Sequence, residues 1–119
     1  MLEGGGWFEA ERTGTSNFRW GAQEATCILW NPTKDRKAVR VVCNVMGLRA
    51  HELSVEACNG NPLWRGMLKN VGTPCSFELE LDPGETVLQW TLHGAPVRPS
   101  PSDRRLLGFR VNDLVVAER

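Results

Sequence analysis

The chain has 119 residues, 24% charged and 41% hydrophobic, and its 14 Lys and Arg balance 14 Asp and Glu to a formal net charge of zero. That length is one domain, able to bury roughly two-thirds of its unfolded surface without a metal or disulfide staple. Zero net charge excludes a nucleic-acid binder that works by neutralising phosphates.

Apolar and polar residues alternate through most of the chain, the period of a half-buried strand, and helical spacing is nearly absent. In chain order the pattern predicts strands over 6–11, 17–21, 25–30, 38–46, 52–58, 63–68, 75–81, 86–92 and 106–117. The clearest runs place Val39, Val41, Cys43 and Val45, then Leu53, Val55 and Ala57, then Phe77, Leu79 and Leu81 on apolar faces. Such strands belong to antiparallel sheets with one face in the core and one in water. Turns separate them. Asn31-Pro32-Thr33-Lys34 follows Trp30, Asn59-Gly60 is a hairpin dipeptide, and Asp82-Pro83-Gly84-Glu85 has Pro to set the first corner and Gly to relax the second. Residues 94–103, with three prolines, predict an irregular loop across a rim. The fold class expected is an all-β, two-sheet antiparallel β-sandwich of jelly-roll type with eight or nine strands. It forms a single domain over 1–119, with 1–5 disordered or appended.

No apolar stretch approaches the roughly 20 residues of a membrane helix. No positive region followed by an apolar core opens the chain, so the location expected is cytoplasmic, with no membrane or nucleic-acid partner. Cys27, Cys43, Cys58 and Cys75 are widely spaced with no CxxC pair, which argues against zinc, and with no export signal the thiols are expected reduced. Neither His51 nor His93 lies near a nucleophile motif, and no phosphate-binding glycine loop precedes a helix. No catalytic residues, metal or cofactor are therefore expected, and the chain reads as a non-enzyme. Glu9 and Glu11 share a strand face, as solvated sheet carboxylates commonly do.

Five tryptophans and no tyrosine carry more weight. Sugars are held by flat aromatic faces with charged or amide side chains on their hydroxyls. Trp90, in phase with Leu88 and Leu92, reads as core, and so does Trp30, two residues from Ile28. That leaves Trp7, Trp20 and Trp64 as candidate stacking surfaces, with Arg19 and Glu11 as candidate hydrogen-bonding partners. Gly6 beside Trp7 is expected to leave room for a ring.

Two signatures lie near the chain ends. Gly6, Trp7, Phe8 and Glu11, followed by Arg19-Trp20, fit G-[WF]-[FY]-x-x-E and an R-W pair. Asp103, Arg105, Leu107, Gly108 and Phe109 fit D-x-R-x-L-G-[FL]. Together they resemble a β-sandwich accessory domain found beside bacterial glycosyltransferases and other surface-polysaccharide biosynthesis proteins. The resemblance implies a glycan or a glycosyltransferase as partner. Physically, Asp103 and Arg105 can tie the proline-rich loop to the sandwich by a charge-assisted bond, and Gly108 suits a close backbone approach. These three are read as structural. The expected function is a non-catalytic carbohydrate-binding-like accessory module; the alternative is a protein-interaction or assembly module, as a homodimer or with another partner.

Overall fold

The computed structural model describes residues 4–14, 16–57 and 60–119. Among these, nine strands and no helix form two antiparallel sheets. The strands are β1 (Glu11–Thr13), β2 (Ser16–Gly21), β3 (Glu24–Asn31), β4 (Lys37–Met46), β5 (Glu52–Ala57), β6 (Pro62–Met67), β7 (Thr73–Leu81), β8 (Gly84–His93) and β9 (Phe109–Glu118). The five-stranded sheet runs β1-β2-β9-β4-β7 and the four-stranded sheet β3-β8-β5-β6. From β2 to β9 the chain passes between the sheets at each step except one, the β5–β6 hairpin within the four-stranded sheet, and β1 is added at one edge of the five-stranded sheet.

Burial follows the alternation in β4, β5, β7 and β8, whose apolar phases face the opposite sheet. The aromatic centre of the core is Trp90, fully buried, stacked on Phe109 at 6.2 Å and edge-on to Phe77 at 6.3 Å. Cys43 and Cys75 face each other across β4 and β7 as buried free thiols, and Cys27 is a third, 3.2 Å from the Trp90 Nε1 donor. Contact with Cys43, then burial, pushes the Cys75 thiol up, and burial chiefly does the same for Cys27, so both stay protonated. Cys58 and Asn59 lie outside the described residues. Gly84 takes φ of 95° in the β7–β8 turn, a conformation that glycine adopts without a Cβ clash.

Three local expectations are corrected. The predicted strand 6–11 is not continuous. Trp7 bridges Gly21 and Glu11 pairs with Phe18, so the register against β2 slips by one residue between them. The last strand begins at Phe109, not 106, because Leu107 instead pairs back with Val97 within the proline-rich loop. Trp30 is not core. In β3 the inward phase is Ala25, Cys27, Leu29 and Asn31, which sends Ile28 and Trp30 to the other side. A shift of one residue reverses every side chain of a strand.

Two features shape the surface next to β9. Between Val42↔Val115 and Asn44↔Asn112, Asp113 and Leu114 oppose the single residue Cys43, a β-bulge with Asp113 at φ 51°. The Asp113 carboxylate accepts the Asn17 N–H at 2.8 Å and the Ser16 hydroxyl at 2.9 Å, which in that order hold its pKa down. β2 pairs with β9 only over Phe109–Asn112, so beyond the bulge this side of β9 has no strand beside it among the described residues. Gly5, expected outside the packed fold, is held to β3, where Thr26 N–H donates to its carbonyl at 2.9 Å.

Candidate functional site

The tryptophans chosen from the sequence do not gather at one surface. Trp7 lies between the sheets, edge-on to Trp90 at 5.9 Å and to Phe109 at 5.4 Å, with its Nε1–H donated to the Thr26 carbonyl at 2.8 Å. The space at Gly6 is filled by the Glu24–Ala25 backbone rather than left for a sugar ring. Trp64 is half-buried against the core, and the tip of its indole lies over Gly66. Trp20 is 8% exposed, on the outer side of the five-stranded sheet, buried apart from the main core.

Trp30 is the one exposed tryptophan of the five, at 62%. Its presentation is built by Asn31. That buried side chain donates to the carbonyls of Asp35 at 2.9 Å and Leu81 at 3.0 Å, and accepts from Thr33 N–H at 3.1 Å and Thr33 Oγ1 at 2.7 Å. The β3–β4 turn is thereby tied to the end of β7, and the residue before Asn31 must point away from the core. Trp30 borders a hollow of about 250 Å³ whose other walls include Thr33, Lys37, Val116 and Glu118. Val116, partly buried against the core, supplies apolar floor from β9. Lys37 and Glu118 take part in no ion pair among the described residues. An exposed indole flanked by an ammonium and a carboxylate can stack on a sugar ring and hydrogen-bond its hydroxyls.

Solved structures share this architecture. The chain superposes on a GH26-CBM35 β-(1,4)-mannanase of Podospora anserina with a TM-score of 0.58 at 10% identity, covering 99% of this chain and 26% of that one. On the EclA C-terminal domain, a sugar-binding protein, the TM-score is 0.57 at 13% identity, covering 92% and 82%. On a carbohydrate-binding module of Cellvibrio mixtus lichenase 5A in complex with cellotriose it is 0.53 at 10% identity, covering 98% and 90%. At these identities the likeness establishes the fold: an all-β sandwich of the kind found in carbohydrate-binding modules. No family model and no curated protein matches the sequence.

Other sequence-selected residues serve the frame around β2. Arg19 donates from Nε to the Phe8 carbonyl and lines a separate hollow of about 310 Å³ with Ala10, Asn17, Val111, Asp113 and Leu114. Glu11 accepts Arg105 Nη1 at 3.3 Å. Arg105 also grips Asp103, with Nη2 to Oδ2 at 2.8 Å and Nε to Oδ1 at 3.1 Å, while its backbone N–H reaches Oδ1 at 2.9 Å. The two therefore meet within a turn of the loop, not by strand alternation, and it is Glu11 that anchors them to β1. Gly108 is buried; a Cβ there would lie 2.3 Å from the Ala22 carbonyl oxygen.

The Arg105 side chain, then its N–H, holds the Asp103 carboxyl down to about 2, from an ordinary value of 3.8. Between those values the folded chain binds fewer protons than the unfolded one. The stability this contributes is present above about pH 4 and lost as the pH falls toward 2. Acid unfolding is expected to steepen across that window in the parent and to be flatter in Arg105→Gln. The same pH profile for both proteins would remove the pair from the stability of the loop.

Ser54 Oγ and His93 Nε2 lie 2.9 Å apart on the outer face of the four-stranded sheet. Glu52, the strand partner of His93, is bound to Arg65 at 2.9 Å, and no described acid orients the imidazole. A serine and a histidine alone, on an open sheet face, lack the third group that aligns the base in acyl-transfer sites.

Proposed function

We propose that the chain is a non-catalytic carbohydrate-binding module whose stacking surface is Trp30. The observation that carries this reading is an exposed indole beside a hollow lined by a lysine and a glutamate that form no ion pair among the described residues, on a sandwich fold shared with sugar-binding modules. Trp30 stacks on the apolar face of a ring, Lys37 and Glu118 hydrogen-bond hydroxyls, and Val116 keeps the floor dry. The two end signatures, by their resemblance, are what support a place beside a bacterial glycosyltransferase, where the module would hold the polysaccharide close to the enzyme.

One stacked ring gains only a few kcal/mol, so affinity for a short neutral oligosaccharide is expected near the millimolar range. Indole N–H shifts during titration with cellulose-, mannan- and galactan-derived oligosaccharides test it. The Trp30 signal should move for at least one glycan, and Trp30→Ala should weaken binding about tenfold at an unchanged melting temperature, since the side chain is outside the core. A silent Trp30 across the panel, with self-association in light scattering at the same concentrations, would replace this reading with an assembly module. The exposed pair Val42 and Val115, opposite each other on the outer five-stranded face, is the surface that second reading would use.

A further inference from the structure

β2 and β9 place Trp20 opposite Arg110 and Phe18 opposite Asn112. Phe109 and Val111 point into the core, so these four residues project from the outer face of the five-stranded sheet. There the Arg110 guanidinium carbon lies 3.5 Å from the centre of the Phe18 ring and 6.0 Å from that of Trp20. Its Nε donates to Asn112 Oδ1 at 2.6 Å. The side chain is thus held by a ring face and an amide, in one orientation.

Arg36, Arg40, Arg65, Arg105 and Arg119 each pair with a carboxylate. Arg110 forms no ion pair among the described residues. The acids that act on it, Glu11 of β1 and Asp113 of β9 itself, are engaged with Arg105 and with Ser16 and Asn17. Burial lowers the Arg110 pKa against the pull of those two acids, yet a guanidinium stays charged at any pH at which the protein is folded. No hydrogen bond from its terminal nitrogens joins the described chain, and neither nitrogen is sealed from solvent. A partly desolvated, immobilised cation with its fork open is matched by a planar anion that accepts two parallel hydrogen bonds.

We propose that Arg110, on its Phe18 and Asn112 support, recognises the carboxylate of an acidic sugar residue. Asn44, opposite Asn112 on β4, adds an exposed amide beside it. The sugar identity of the ligand rests on the carbohydrate-binding reading above, but the place does not. From Arg110 to Ala117, at the Trp30 hollow, β9 runs about 24 Å, so the two contacts are separate and respond to different substitutions.

The test compares oligogalacturonate with the neutral galactan oligomer of equal length, by calorimetry, on the parent, Arg110→Gln, Arg110→Lys and Trp30→Ala. The parent should prefer the acidic chain by about tenfold, an advantage that weakens with added salt. Arg110→Gln should bring the ratio to about one while leaving neutral binding intact. Arg110→Lys, with charge but no planar fork, should keep only part of it. Trp30→Ala should weaken both chains and leave the ratio. A parent without preference, or a preference that survives in Arg110→Gln, overturns the proposal. Should Arg110→Gln fold poorly, the Arg110 Nε–H signal of the parent decides, since it should shift with free galacturonate and stay still with galactose. That signal also separates the two readings. If no oligosaccharide binds, the Trp30 module falls, and the Nε–H response to galacturonate alone still upholds or overturns the Arg110 site.

Discussion

Trp7→Ala is expected to lower the stability of the sandwich by about 2–4 kcal/mol, somewhat less than deleting a large aromatic from a closed core, because the indole is half-buried against it. The indole fills the gap between the sheets near the starts of β3 and β9, where it meets Trp90 and Phe109 edge-on. Alanine leaves a cavity against two fully buried rings that already stack on each other and cannot both move to fill it. It also takes the Nε1–H from the Thr26 carbonyl, in the stretch of β3 that pairs with Gly5 rather than with a further strand. Urea unfolding with an unchanged slope measures the loss. A change under about 1 kcal/mol would mean that the indole is peripheral, and would return Trp7 to the candidates for sugar stacking.

Gly108→Ala should cost about 1–3 kcal/mol, at the upper end of that span, although it adds a single methyl group. The new Cβ would meet backbone, the Ala22 carbonyl oxygen at 2.3 Å, and no rotamer change can relieve that contact. Gly108 N–H donates to the Gly21 carbonyl at 2.8 Å, so any retreat of the chain breaks the last link between β2 and the start of β9. The strain should pass to Phe109, whose ring lies over Gly21 with no room for a side chain there. Thermal melts of Gly108→Ala and Gly108→Ser should both fall. A melting temperature equal to the parent's would show that the 21–23 and 107–109 segments separate freely.

Much of the architecture was legible because strand periodicity and turn chemistry are local. Val39 to Val45 and Leu53 to Ala57 alternate against polar neighbours, so the side that must be buried is evident from each run alone, and Asp82-Pro83-Gly84 closes the β7–β8 hairpin where its dihedral preferences require. β3 was ambiguous for the same physical reason. Cys27 and Leu29 on one phase and Ile28 and Trp30 on the other are equally apolar, and alternation cannot choose between them. The choice is made by Asn31, whose four hydrogen bonds reach Thr33, Asp35 and the distant end of β7. Nothing in a single asparagine before a proline announces that.

The sequence by itself determined the strand count to within one, the turns, the inward phase of the strands with one polar face, and the irregular loop after β8. It also supplied the aromatic content from which a sugar platform is chosen. Only the tertiary structure decided which tryptophan is open. That depends on which side of each edge strand the opposite sheet covers, and on the bulge at Asp113, beyond which β9 has no β2 beside it. It likewise decided the state of Arg110. Whether an arginine is paired or left facing solvent depends on which partners the fold gives its nearby carboxylates, and here Glu11 is claimed by Arg105 and Asp113 by Ser16 and Asn17.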